Sequence, residues 1–249
     1  MLKKKRPLKV AIFIIAYQAV RTLIACYTRI PKKLRRSAKE IYVFDDCSND
    51  NTYFAGLGYK LENHINNLNI YRNSKNKGYG GNQKIGYKYA INKGYDVVVL
   101  LHGDVQYAPE KIPQLIKPIL ENKADLVMGS RMLGRPIKGG MPIWKFLGNK
   151  FLTAIENIIL GLSLSEYHSG FRAYRLATLK KLPFNKLTDD FHFDTQILIE
   201  FKKRDLRIKE IPVPTHYGPE SHQVNFRTSI RYGLSILQTL LKYIFSKKH

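Results

Sequence analysis

Acids are scarce in this chain, and they gather. The 249 residues hold 19 Asp and Glu against 42 Lys and Arg, yet Asp45, Asp46 and Asp50 fall together in Asp45-Asp46-Cys47-Ser48-Asn49-Asp50-Asn51-Thr52. His102-Gly103-Asp104-Val105-Gln106 forms a second polar knot. A carboxylate and an amide two apart on an extended segment point the same way, so Asp104 and Gln106 can meet one hard cation. Gly103 between them lets a ligand approach the backbone. Taken singly, each cluster reads equally well as a turn or a helix cap. Together they suit one purpose, a carboxylate for a nucleotide's base or ribose and a cation for its diphosphate. In Asn76-Lys77-Gly78-Tyr79-Gly80-Gly81-Asn82, the glycines at Gly78 and Gly80 open a loop able to turn backbone N–H groups toward an anion. It is not a dinucleotide fingerprint, because Gln83 stands where the third glycine belongs.

Short β-branched runs at 10–17, 40–44, 68–71, 97–101 and 126–128 read as strands. Longer amphipathic runs at 19–30, 82–92 and 109–122 read as helices, the last opened by Pro109. Strand and helix alternating at this spacing predict an α/β fold with a mainly parallel sheet covered on both faces. Ligands of such sheets bind beyond the carboxyl ends of the strands, which is where both acidic clusters and the glycine loop fall. Beyond them, 129–142 is Gly/Arg-rich and loop-like, 144–160 is an amphipathic helix, 188–201 mixes acids with aromatics, and 211–219 is extended and punctuated by Pro.

Composition sets outer bounds. A 44% hydrophobic chain with 24% charged residues and no repeat is neither disordered nor fibrous. The net charge of +23 calls for a polyanionic neighbour: nucleic acid, an anionic membrane face or phosphorylated substrates. Two cysteines, Cys26 and Cys47, predict reduced thiols in a cytosolic protein. Lys3-Lys4-Lys5-Arg6 before the apolar run at 10–16 imitates a signal peptide but lacks a nearby cleavage site, so a buried first strand is expected. The longest apolar segment, 146–164, carries Lys150 and Glu156 and does not predict a membrane span.

The ordered series Ala16-Tyr17, Asp45-Asp46-x-Ser48-x-Asp50-x-Thr52, Asn76-x-Gly78-x-Gly80, His102-x-Asp104-x-Gln106, Gly129-Ser130-Arg131 and His168-Ser169-Gly170-Phe171-Arg172-Ala173 resembles the inverting family 2 glycosyltransferases of GT-A fold. Within them it is most similar to the dolichol-phosphate-mannose-synthase-like branch. The resemblance runs over about residues 8–226 and implies transfer of a hexose from a UDP- or GDP-sugar to a polyprenyl phosphate. It implies that Ala16, Tyr17, Asp45 and Asp46 hold the nucleoside, and that Gly78 and Gly80 belong to the same nucleotide-sugar site. Asp104 and Gln106, with His102 in place of the motif's first acid, would hold Mn²⁺ or Mg²⁺. The imidazole favours the softer ion. Arg131 and Arg172 would lie near the acceptor phosphate and donor diphosphate. Gln18-Ala19 stands where relatives often carry Asn-Glu.

The acceptor decides the remaining chemistry. A phosphate is already ionised and needs only cations to hold it, for which Arg131, Arg135, Lys138 and Arg172 are candidates. A sugar hydroxyl, as in cell-surface polysaccharide synthesis, needs a base instead; Asp194 in Thr188-Asp189-Asp190-Phe191-His192-Phe193-Asp194 is the candidate, or else an N-cap. His64, His216 and His222 have no metal spacing. The expected organisation is a catalytic domain at 1–225 followed by a basic amphipathic helix at 226–249. Its apolar positions 226, 230, 234, 237, 241 and 244 are flanked by Arg227, Arg231, Lys242 and Lys247-Lys248. That face is expected either to pack on the core or to lie on an anionic membrane, with the protein peripheral on the cytoplasmic side. A nucleic-acid-binding protein is the rival class; it would cluster its bases with stacking aromatics, whereas the bases here are spread throughout and the acids collect at one sheet edge. A non-catalytic relative that binds nucleotide sugars is a further alternative, raised by His102 and Ala19.

Overall fold

The computed structural model describes residues 6–217 and 226–246. His222, Pro219, Lys3-Lys4-Lys5 and Lys247-Lys248 lie outside the described residues. In chain order the elements are β1 (Val10–Ala16), α1 (Leu23–Thr28), α2 (Lys32–Ser37), β2 (Glu40–Asp45), α3 (Thr52–Glu62), β3 (Leu68–Arg72), α4 (Tyr79–Asn92), β4 (Val97–His102), α5 (Ile112–Leu120), β5 (Leu126–Ser130), α6 (Ile143–Leu160), β6 (Arg172–Arg175), α7 (Leu176–Leu179), α8 (Phe193–Lys202), β7 (Ile208–Pro212) and α9 (Phe226–Ser246). Seven strands form one sheet in the order β3-β2-β1-β4-β6-β5-β7. All neighbours are parallel except β6, which runs antiparallel to β4 and β5.

The central strands are apolar throughout because both sheet faces are covered. Ile12, Ile14, Val97, Val99 and Leu101 pack under α1 and α5. Ala11, Phe13, Val98 and Leu100 pack with Tyr87 of α4, Leu198 of α8 and Ile236 and Leu240 of α9 on the opposite face. The chain reverses its direction of strand addition between β1 and β4, and this switch point is where α/β sheets open a ligand crevice. Its two lips are tied together: Gly103 donates its N–H to the Ile15 carbonyl at 2.9 Å.

Three of the departures from the sequence expectation bear on the site. α3 begins at Thr52, directly after the acidic turn, where Gly56 and Gly58 mask the helical period. β6 is Arg172-Ala173-Tyr174-Arg175, which carries no strand signal and is buried only because it is inserted between two apolar strands. α9 is apolar on two sides: Ile236, Leu240 and Tyr243 join the core while Ile230, Leu234, Leu241 and Phe245 stay exposed.

Candidate functional site

A cavity of about 1220 Å³ lies over the carboxyl ends of β1 and β4 and extends between α6 and α9. Its walls at the switch point include Ala16, Tyr17, Asp46, Gly78, His102, Asp104 and Gln106. Asp46 is fixed by donors from Asn73 Nδ2 at 2.7 Å and Lys77 N at 2.9 Å. Tyr17 is half-exposed beside it, in position to cover a flat ligand.

Asp45 belongs elsewhere. It is fully buried beneath the turn and absent from the cavity wall; its carboxylate accepts from Ser48 and faces Arg72 at 3.5 Å. Burial outweighs these partners and pushes its carboxyl above the usual range. Asp45 therefore shapes the turn, and Asp46 is the acid that reaches the cavity.

The glycine loop also differs from the expectation that its amides face an anion. Gly80 N and Gly81 N both donate to the Asp189 carbonyl, at 2.7 and 3.2 Å. The glycines serve close approach: a Cβ on Gly80 would lie 2.5 Å from the Thr188 carbonyl oxygen, and Gly78 sits at φ +76° with its Cβ position 2.7 Å from that of Asp189. The loop thus clamps the 188–189 segment against α4, and Gly78 alone of the pair lines the cavity.

Beyond β4 the chain turns instead of extending. Val105, a β-branched residue, adopts φ 54°, a conformation that costs of order 1–3 kcal/mol. Asp104 Oδ1 accepts from Gln106 N at 3.1 Å, and both side chains still border the cavity. Among the described residues no group of three or more His, Cys, Asp or Glu is placed to hold a metal. A hard carboxylate-and-amide pair on one turn nevertheless fits a Mg²⁺- or Mn²⁺-type ion whose other ligands come from phosphate and water. The His102 ring packs edge-on to Tyr79 and Tyr107, with Nε2 3.3 Å from the Tyr79 hydroxyl. Burial holds its pKa below the ordinary histidine value, so it is neutral at pH 7.

Tyr79 donates to Asp194 Oδ2 at 2.8 Å, and Gln83 reaches Oδ1 at 3.4 Å. Asp194 lies in the first turn of α8, after the N-cap His192, and borders the cavity floor. Arg172 stands behind it, fully buried and outside the cavity wall. Its guanidinium donates to the carbonyls of Ser169, Tyr167 and Asp194 and faces Asp194 Oδ1 at 3.6 Å. Arg172 is thus a positioning residue, not one that touches a phosphate.

Arg131 does reach the cavity. Glu166, fully buried, accepts from its Nε at 2.6 Å and its backbone N at 2.8 Å, and Tyr217 Oη and the His168 carbonyl accept from the guanidinium's other nitrogens. Burial pushes the Glu166 carboxyl up, but the Arg131 charge and hydrogen bonds together override it and hold it below the usual range. Arg135 and Lys138 are not in the wall. Lys145 is, at the start of α6 and 6.0 Å from the Tyr217 ring. In the sequence it is one lysine of an amphipathic helix, and nothing there singles it out. Burial, then the Arg131 charge, pull its ammonium below the usual lysine range. Phosphate affinity measured against pH should accordingly fall on the alkaline side before an ordinary lysine would titrate, at about 10.4; Lys145→Arg should move that limb upward.

A mainly parallel α/β sheet with its polar cavity at the switch point defines a GT-A architecture, and comparisons place the chain more closely. Residues 11–182 match the model of Glycosyl transferase family 2, and the chain belongs to that family. It is 32% identical over 211 residues to the UDP-N-acetylglucosamine--dolichyl-phosphate N-acetylglucosaminyltransferase of Methanococcus voltae, covering 81% of this chain and 83% of that one. It is 28% identical over 209 residues to the undecaprenyl-phosphate mannosyltransferase of Micrococcus luteus, covering 78% and 82%. Among solved structures, glucosyl-3-phosphoglycerate synthase from Mycobacterium tuberculosis in complex with Mn²⁺, UDP and phosphoglyceric acid superposes with a TM-score of 0.71 at 16% identity, over 94% of this chain and 78% of that one. This last likeness establishes the fold.

Proposed function

We propose that the chain is an inverting glycosyltransferase that moves a hexose from a UDP- or GDP-sugar to a polyprenyl phosphate. One observation carries the reading: a polar half bounded by Asp46 and Asp104 and an apolar half between Trp144, Phe151, Ile230 and Leu234 are continuous in one cavity. A nucleotide fits the first and a phosphate-capped hydrocarbon chain the second. The two relatives named above support it, one acting on dolichyl and one on undecaprenyl phosphate.

In this reading Ala16, Tyr17 and Asp46 hold the nucleoside, with Asp45 and Gly80 supporting their turns. Asp104 and Gln106, with His102 adjacent, hold a divalent ion, and Mn²⁺ accompanies UDP in the structurally similar synthase. When bound, the ion supplies positive charge to the leaving diphosphate. Arg131 and Lys145 hold the acceptor phosphate. One of its oxygens bonds to the anomeric carbon from the face opposite the leaving group, and the carbon–oxygen bond to the nucleoside diphosphate breaks. An ionised phosphate needs no base, which agrees with Asp194 being held by Tyr79, Gln83 and Arg172.

Among the described residues no helix is long and apolar enough to cross a membrane. Exposed Ile143, Leu147, Phe151 and Ile158 on α6 and Ile230, Leu234, Leu241 and Phe245 on α9 instead form a surface suited to lie on the cytoplasmic face of an anionic bilayer, flanked by Arg227, Arg231 and Lys242. Leu147→Asp and Leu234→Asp should each lower binding to phosphatidylglycerol vesicles by roughly tenfold, the loss of one buried apolar side chain, while nucleotide binding stays unchanged. The function itself is tested by incubating labelled UDP-N-acetylglucosamine, UDP-glucose or GDP-mannose with a short-chain polyprenyl phosphate and Mn²⁺. Label extracted into organic solvent is expected; label appearing only in a soluble glycan acceptor overturns the reading.

A further inference from the structure

Five rings form an arc across the cavity. His102, at the end of β4, stands edge-on to Tyr79 with centroids 5.6 Å apart. Tyr79 stacks on Phe191 at 5.2 Å, Phe191 meets Tyr232 of α9 edge-on at 6.5 Å, and Tyr232 meets His168 at 5.6 Å. All five border the cavity. Core packing does not account for the arc's centre, since Phe191 is 40% exposed and belongs to neither core cluster.

The position of the arc indicates its occupant. It starts two residues from Asp104, where the donor diphosphate is read to sit, and runs through Tyr232 of α9 to His168, whose carbonyl accepts from Arg131, where the acceptor phosphate is read to sit. The transferred group is bonded to the first and attacked by the second, so it has to lie between them. Its surroundings suit a pyranose. Ring faces receive the apolar C–H face of a sugar, as aromatic walls receive other apolar ligand surfaces. Carboxylate oxygens of Asp190 and Asp194, both in the cavity wall, accept from hydroxyls. Acidic side chains also bear on charge. Asp189, Asp190 and Asp194 border this part of the cavity; Asp189 and Asp194 are paired with Lys84 and Arg172, which leaves the Asp190 carboxylate, in no ion pair among the described residues, to face the sugar. A sugar carrying its own carboxylate would meet repulsion there.

We propose that Tyr79, Phe191 and Tyr232 form the seat of the transferred sugar and restrict the donor to neutral pyranoses, an inference that rests on the donor site proposed above. Calorimetric titration of the full chain with Mn²⁺ present tests it, using UDP, UDP-glucose, UDP-N-acetylglucosamine and UDP-glucuronate, with GDP and GDP-mannose in parallel. The wild type should bind its cognate neutral nucleotide sugar more tightly than the bare nucleoside diphosphate, and UDP-glucuronate no more tightly than UDP. Phe191→Ala should weaken the nucleotide sugar by about fivefold, the scale of one aromatic contact, and leave the nucleoside diphosphate unchanged; Phe191→Tyr should restore the difference. Equal weakening of both ligands, no weakening of either, or glucuronate bound as tightly as glucose overturns the sugar seat while the donor site stands. Failure of every nucleotide to bind the wild type overturns both.

Discussion

Replacing Asp104 by Asn should abolish the Mn²⁺-dependent part of nucleotide binding and lower sugar transfer by about 10²–10³-fold, the range lost when one electrostatic contact to developing charge is removed. The substitution isolates chemistry from folding. Asp104 accepts one local hydrogen bond, from Gln106 N at 3.1 Å, and an amide oxygen can still accept it. What disappears is the formal charge beside the proposed seat of the diphosphate, where the Val105 turn at φ 54° lies between two side chains that both border the cavity. Gln106→Ala should have the same sign and a smaller size, because a neutral oxygen is a weaker ligand than a carboxylate. Thermal shifts of wild type and variant, with UDP or GDP and with and without Mn²⁺, separate the cases. An unchanged Mn²⁺ response in Asp104→Asn would place the ion on other residues.

That Asp104 was recognisable at all follows from topology. A run of apolar β-branched residues fixes where a parallel strand ends, and the switch point makes the next few residues the site. The placement of Ala16, Tyr17, Asp46, His102, Asp104 and Gln106 at the cavity was legible for that reason. Other features depended on partners far away in the chain. Whether Asp45 or Asp46 faced the cavity turned on the last residue of β2, and neighbouring residues on a strand point opposite ways. The amides of Gly80 and Gly81 looked available until the 188–189 segment, distant in sequence, docked its carbonyl on them. Arg172 carried a phosphate-binding expectation, but β6 is threaded antiparallel between β4 and β5 and takes its side chain into the interior. Lys145 and the ring arc had no local signature, because α6, α9 and the loop before α8 meet only in the folded protein.

The buried position of Arg172 carries the largest expected effect on stability. Arg172→Met keeps most of the side chain's apolar bulk but removes a guanidinium that serves three carbonyls and faces Asp194. Burial opposes the arginine's charge, and Asp194, Tyr174 and Tyr79 together more than offset it, raising its pKa. Losing one partner of a buried pair leaves the other charge uncompensated, at a cost of about 3–5 kcal/mol, or roughly 6–20 °C in Tm for a chain of this size. Lysine should not rescue it, since one ammonium cannot reach acceptors arranged around a planar fork. Asp194→Asn in the same chain should recover part of the loss, because it removes the stranded charge while Tyr79 and Gln83 can still pair with the amide. Coupling of about 0.5–3 kcal/mol between the two substitutions is therefore expected, read from denaturant melts of the two single variants and the double. Strict additivity would mean that the carbonyls of Ser169 and Tyr167, and not Asp194, are what Arg172 is there to hold. In that case Asp194 would owe its place in the cavity floor to Tyr79 and Gln83 alone, and Tyr79→Phe should displace it.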